Sequence, residues 1–222
     1  MSGEAQRQLA EGLEAMGIDL TSTAQGQLLA YAALLEKWNK TYSLTALRGA
    51  EKAVSHHLLD SLAVLPYVPA GALLDVGSGG GMPGIPLAIA CPELAVTLLD
   101  SNSKKTAFLR QATIELKLKN VSVHCGRVEQ YHPTVPFIAI TSRAFAELSD
   151  FVSLSRHLLA NEGVWLALKG LWPHAEIAAL PAGVRVQQVC SLAVPGIEGE
   201  RHVVILEKDG VNRLAPITAG GG

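Results

Sequence analysis

Cysteine is scarce in this chain of 222 residues: Cys91, Cys125 and Cys190 are the whole set. They are scattered, odd in number and without metal-ligand spacing. That excludes a zinc site and a disulfide framework, and the expectation is reduced, mostly packed thiols of a cytoplasmic protein. A surplus of one charge is also missing, since lysine and arginine number 18 against 20 aspartates and glutamates. The whole-chain field therefore offers no attraction to nucleic acid, and any basic groove has to be local. No apolar run reaches the length of a membrane span, the opening MSGEAQRQLAEGLEAMG has no signal-peptide core, and no internal repeat is found. What remains is a chain with 49% apolar and 17% charged residues. It suits one sizeable core with an extension rather than a disordered segment or two equal domains.

The richest stretch is LLDVGSGGGMPGIPLAIA, Leu73 to Ala90, followed by AVTLLD, Ala95 to Asp100. Leu73 to Val76 reads as a buried strand, and Gly77, Gly79 and Gly81 allow backbone angles and close approaches that side chains block. Past Gly84 the apolar residues resume as a helix, so the turn lies at a helix N-terminus, where unpaired N–H groups face whatever is bound. Asp100 closes the next strand, where a carboxylate can accept both hydroxyls of a ribose. The letters fit two frames. Gly79-x-Gly81-x-x-Gly84 satisfies the dinucleotide fingerprint, with Asp100 near the place of its ribose acid. Asp75-x-Gly77-x-Gly79-x-Gly81 resembles the first motif of Rossmann-like S-adenosylmethionine (SAM) methyltransferases. A pyrophosphate disfavours a neighbouring carboxylate, whereas SAM carries a sulfonium and an ammonium, so Asp75 makes better electrostatic sense beside SAM.

Residues 4 to about 66 read as helical, with Leu28, Ala32, Leu35 and Trp38 at helical spacing. Pro66, Pro69 and Gly71 punctuate the passage to a sheet. Strands are expected near 72–76, 95–100, 120–124, 137–142 and 163–169, with helices near 84–90, 103–118, 146–159 and 173–180. Such alternation implies an α/β fold with a parallel sheet covered on both faces. The last two strands, near 184–193 and 201–208, are joined too tightly for a parallel crossover and should pair antiparallel. Residues 1–70 are thus expected to form an N-terminal helical extension on the core, 71–209 the sheet domain, and 210–222 a disordered tail.

Four further segments carry candidate chemistry. Gly126-Arg127-Val128-Glu129 follows the third strand at the carboxyl edge, where ligands of such folds collect, and the N–H groups of Val128 and Glu129 suit an adenine edge. Thr141-Ser142-Arg143-Ala144-Phe145 follows the fourth strand, with Arg143 placed to anchor a phosphate or stack on a base. Leu168-Lys169-Gly170 follows the fifth, and Lys169 can reach phosphate or a base carbonyl oxygen. In the extension, His57 and Asp60 share one helix side at i and i+3 and can pair. Lys37, Lys40, Arg48 and Lys52 form the only basic concentration ahead of the sheet.

WNKTYSLTALR, HHLLDSL, LLDVGSGGGMPGIPLAI, LLDSNSKKTAFLRQ, GRVEQ, TSRAF, ALKG and GERHVVIL, in this order, closely resemble the glucose-inhibited division protein B family, from about residue 24 to 208. The resemblance implies a Rossmann-like SAM methyltransferase fold. Its mostly parallel seven-stranded sheet would end in an antiparallel strand and carry an N-terminal helical extension. It also implies a cytoplasmic enzyme that methylates N7 of a guanine in the decoding region of bacterial 16S ribosomal RNA. SAM would be the cofactor and the RNA or small ribosomal subunit the partner, with no metal, no membrane and a monomeric chain. By matching motifs Gly77, Met82, Val128, Glu129 and Arg143 would contact SAM, and the reading of the glycine turn itself adds Asp75, Gly79 and Gly81 to the cofactor-binding set. Asp100 would hold the ribose, and Arg143 with Lys169 would flank methyl transfer. Two departures stand out. Phe137-Ile138 replaces the family's Phe-Asp, and His56-His57 replaces Arg-His, exchanging a permanent charge for a titratable one.

Guanine N7 presents an in-plane lone pair and attacks a methyl sulfonium without losing a proton. Alignment and exclusion of water then suffice, with no metal or general base. No Asn-Pro-Pro-Tyr-type motif follows the fourth strand, which counts against exocyclic-amine methylation. Two alternatives stand beside this reading. One is an NAD-dependent oxidoreductase, which lacks a hydride-transfer constellation here. The other is a non-catalytic ribosome-assembly factor, against which the intact glycine turn and Asp100 argue.

Overall fold

A computed structural model describes residues 3–45, 50–143, 145 and 147–210; Arg48, Ala144 and the expected tail from 211 onward lie outside them. The chain opens with helix α1 (Gly3–Ala15) and the longer α2 (Ser22–Tyr42). The Thr21 side chain accepts from the N–H of Ala24 and caps α2, satisfying one of its unpaired amides. A third helical run begins as α3 (Ala50–Ala53), widens into a π-helical turn at Val54–Leu59, and closes as α4 (Asp60–Leu62). Sequence periodicity indicates the helix but not the π turn.

Seven strands come after it: β1 (Ala72–Val76), β2 (Ala95–Asp100), β3 (Val121–Cys125), β4 (Phe137–Ser142), β5 (Leu159–Lys169), β6 (Val184–Ser191) and β7 (His202–Lys208). Helices α5 (Gly84–Ala90), α6 (Ser103–Glu115), α7 (Leu148–Ser155) and α8 (His174–Ala178) lie between them. The strands form one sheet in the order β3-β2-β1-β4-β5-β7-β6. β1 to β5 are mutually parallel, and β7 inserts antiparallel between β5 and β6. The mostly parallel sheet with its antiparallel last strand is therefore as expected. β5 begins at Leu159, earlier than expected, because its first residues already pair with Phe137.

Period-2 alternation sorts the buried side chains into two layers. Leu73, Val96, Leu98, Ala139, Leu166 and Val203 share one apolar cluster with Leu28, Tyr31, Leu35, Leu58 and Leu62 from the N-terminal helices and with Phe108 of α6. Leu74, Val76, Leu99, Ile140, Trp165 and Val204 point the other way and meet Phe151 and Val152 of α7. Helices thus cover both faces, and the carboxyl ends of β1, β2, β4 and β5 meet along one edge. The cysteines are free among the described residues, but only Cys190 is buried and Cys125 is exposed, so the expectation of mostly packed thiols fails there. No helix among the described residues is long and apolar enough to cross a membrane, and no group of metal-binding side chains gathers among them.

Candidate functional site

The turn after β1 is shaped by its glycines. Gly77, Gly79 and Gly81 have φ of 69°, 57° and 93°, in the left-handed region that favours glycine. The N–H of Gly77 donates to Leu99 O at 2.8 Å, and the Ser78 hydroxyl donates to Asp75 O at 2.7 Å while accepting the N–H of Leu99 at 3.1 Å. Serine therefore ties the turn to the end of β2. Asp75 is fully buried below this turn, and its Oδ2 accepts the N–H of Gly84 at 3.0 Å, at the start of α5. Its Oδ1 is buried with no hydrogen-bond partner. Burial pushes the Asp75 carboxyl up to about 7, opposed by the Gly84 N–H. The Tyr31 hydroxyl from α2 donates to Gly80 O at 2.5 Å, so the extension props the turn from behind. The Met82 side chain joins the apolar layer with Leu35, and both crowd the space beside Gly80.

Asp100 stands where β2 ends. Its Oδ2 accepts the N–H of Gly79 at 2.9 Å and its Oδ1 that of Asn102 at 2.8 Å, with Lys105 Nζ at 4.0 Å. A carboxylate has about four acceptor sites, so two backbone donors orient it and leave capacity for hydroxyl donors. A cavity of about 350 Å³ opens beside it, with Gly77, Asp100, Val128, Glu129 and Phe145 in its wall. Val128 and Glu129 begin a 3₁₀ turn, Val128–Gln130, with Val128 buried and Glu129 exposed. Asp75, Gly79, Gly81 and Met82 lie off that wall and support it. Four of the expected cofactor residues are thus brought to one cavity.

A second cavity, about 300 Å³, lies at the ends of β4, β5 and β7 and has Asp60, Arg143, Lys169, Arg201 and His202 in its wall. The Ser142 hydroxyl donates to Val76 O at 2.8 Å and that of Thr141 to Leu166 O at 3.0 Å. These bonds fasten the end of β4 to both neighbouring strands and fix where Arg143 emerges. Asp60 does not pair with His57 as expected. Its Oδ2 lies 3.3 Å from Arg143 Nη1, and its Oδ1 accepts from Arg201 Nε at 3.1 Å. A π turn carries an extra residue, so Asp60 and its successors are rotated relative to a continued α-helix. His57 is buried with Nδ1 unpartnered, and burial together with the Arg143 charge lowers its pKa to about 4. Lys169 Nζ donates to Glu176 Oε2 at 2.6 Å and to Phe145 O at 3.2 Å, while the same Glu176 oxygen accepts the N–H of Leu148. Lys169 and Glu176 together hold the Phe145 segment over the first cavity.

The model of the family described as rRNA small subunit methyltransferase G matches residues 24–204. The chain belongs to that family. It is 58% identical over 206 residues, 92% of its length, to the ribosomal RNA small subunit methyltransferase G of Neisseria gonorrhoeae, covering 99% of that protein. It is 56% identical over 198 residues, 89% of its length, to the one of Chromobacterium violaceum, covering 95% of that protein. Among solved structures it is similar to the O-methyltransferase TomG from Streptomyces achromogenes, in complex with SAM. There the TM-score is 0.58 at 15% identity, over 94% of this chain and all of that one. That likeness shows the Rossmann-like methyltransferase fold.

Membership in the rRNA small subunit methyltransferase G family favours neither the oxidoreductase nor the non-catalytic reading. Sequence reasoning does not single out Tyr31, Glu176 or Arg201. Arg201 lies inside the GERHVVIL motif and is legible there as a charge ahead of a strand. Tyr31 and Glu176 touch motif residues, Gly80 and Lys169, but lie outside every motif in the sequence, and composition carries no signal for them.

Proposed function

We propose that this protein transfers a methyl group from SAM to N7 of a guanine in small-subunit (16S) ribosomal RNA. The observation that carries the reading is Asp100, oriented by the amides of Gly79 and Asn102 at the wall of a cavity that also holds Gly77, Val128 and Glu129. A nucleoside fits that donor and acceptor set. Asp100 accepts ribose hydroxyls, the 3₁₀ turn at Val128 presents backbone amides to the adenine edge, and Phe145 covers the base. Asp75 contributes from behind the wall, holding α5 through Gly84.

SAM supplies an electrophilic methyl group on sulfur. Guanine N7 needs no base, so the residues act by placing the purine in line and excluding water. The purine becomes cationic as the methyl arrives, and an isolated cation beside it would oppose the step. Arg143 and Lys169 meet that condition because each is matched by a carboxylate, Asp60 and Glu176 respectively. Both can orient phosphate or the guanine O6 with a carboxylate against each, and Asp60, shared with Arg201, leaves one positive charge in excess for a phosphate. Lys37, Lys40 and Lys52, exposed on the N-terminal helices, supply a further RNA contact.

The test is transfer of tritiated methyl from SAM to purified small subunits or their RNA, followed by mapping of the label. N7-methylguanine is expected and is recognisable by alkali-promoted strand scission at the modified base. Label on an adenine or an exocyclic amine would overturn the substrate assignment while leaving the fold intact.

A further inference from the structure

The segment linking β5 to α8 exposes two large apolar side chains in succession, Leu171 at 76% and Trp172 at 42% of their surface. It leaves the carboxyl end of β5 directly after Lys169 and Gly170, both in the wall of the second cavity. The Trp172 ring is held in place. Its centroid lies 5.6 Å from the His174 ring and 5.4 Å from the His202 ring, edge to face with the latter. His202 is itself buried, its Nδ1 2.9 Å from Gly170 O, and it belongs to the cavity wall. An indole fixed by two imidazoles loses little freedom when something stacks on it, which favours binding.

The chemistry of the neighbourhood selects the occupant. Three cations, Arg143, Lys169 and Arg201, stand in the adjoining wall with one carboxylate, Asp60, and Glu176 pairs with Lys169. Two carboxylates against three cations leave one positive charge in excess, which a purely apolar partner would not match. A nucleotide chain brings an aromatic face and a phosphate together, and single-stranded RNA is read by stacking unpaired bases on aromatic side chains.

We propose that Trp172 is a stacking platform for an unstacked base of the RNA substrate, beside the phosphate-binding cations of the second cavity. This rests on the RNA methyltransferase reading above and adds to it the residue that grips a base. Neither Trp165, fully buried, nor Trp38, packed against Tyr42 and Phe108, can take that role.

Steady-state methylation of small-subunit RNA by Trp172→Ala, Trp172→Leu and Trp172→Phe tests it, with SAM affinity measured by calorimetry. Stacking on an aromatic is worth about 5- to 150-fold in affinity per base. Trp172→Ala is therefore expected to raise KM for RNA in that range with kcat and SAM affinity unchanged. Trp172→Phe should restore most of the affinity, and Trp172→Leu, which keeps apolar bulk without a π face, should not. Tryptophan emission should also be quenched by a short guanosine-containing single-stranded oligoribonucleotide in the parent and not in Trp172→Phe. A parental KM in Trp172→Ala, or equal rescue by leucine and phenylalanine, overturns the proposal while the function stands. No transfer to RNA by the parent protein overturns the function, and this proposal with it.

Discussion

Asp100 is the residue on which the cofactor reading turns, and its environment makes the consequence of losing it specific. Two backbone amides, from Gly79 and Asn102, lose their acceptor in Asp100→Ala, along with whatever hydroxyls it would bind. SAM binding should weaken by roughly 1–3 kcal/mol, the scale of charge-assisted hydrogen bonds. Asp100→Asn keeps one acceptor and should fall between; calorimetry showing parental affinity in a folded alanine variant would remove Asp100 from the site. Gly84 is the second residue with a sharp expectation. A Cβ there would sit 2.3 Å from Leu98 Cδ2 and 2.8 Å from Asp75 Oδ2. Gly84→Ala should cost about 1–3 kcal/mol of stability by overpacking, read from the midpoint of urea unfolding. Both residues are legible in the sequence because a glycine turn and a strand-end acid are local patterns. Asp60 stands out there too, but with the wrong partner, since it pairs with Arg143 and with Arg201, the second 141 positions away. No local spacing encodes a contact of that kind.

At the level of elements, the alternation of strand and helix is readable because β1, β2 and β4 are short apolar runs bounded by glycine, proline or polar residues. The insertion of β7 between β5 and β6 is not, because a tight link shows that two strands pair and not which other neighbour either takes. The least visible element contact joins α2 to the glycine turn. Tyr31 is fully buried, and burial raises the pKa of its hydroxyl far above the usual tyrosine value, so it remains a neutral donor to Gly80 O. Tyr31→Phe removes that donor and leaves a carbonyl facing a ring edge. The expected loss is about 1–3 kcal/mol in stability, the penalty of an unsatisfied buried group. A looser turn should also weaken SAM binding. Unchanged stability and SAM affinity in Tyr31→Phe would show that the extension does not brace the turn.

For the molecule as a whole, Asp75 and His57 make opposite contributions to the response to pH. Burial raises Asp75 from 3.8 to about 7, so between those values the folded protein keeps a proton that the unfolded chain has released. Its contribution to stability falls as pH rises through that window. His57 is lowered from 6.5 to about 4, so over that interval the unfolded chain binds a proton that the folded protein rejects. Its contribution rises with pH and is lost on acidification. Each slope is about 1.4 kcal/mol per pH unit per proton, and over the shared interval they oppose one another. Removing either group should therefore expose the other. Asp75→Asn, which can still accept the Gly84 N–H, should gain stability as pH rises across the His57 window, by roughly 2–3 kcal/mol relative to the parent. His57→Gln should show the reverse dependence, losing stability across the Asp75 window. Urea unfolding of the parent and both variants at several pH values between about 4 and 7 reads these differences directly. Parallel profiles for all three proteins would mean that neither group titrates differently in the folded state, and the burial argument for both would fail.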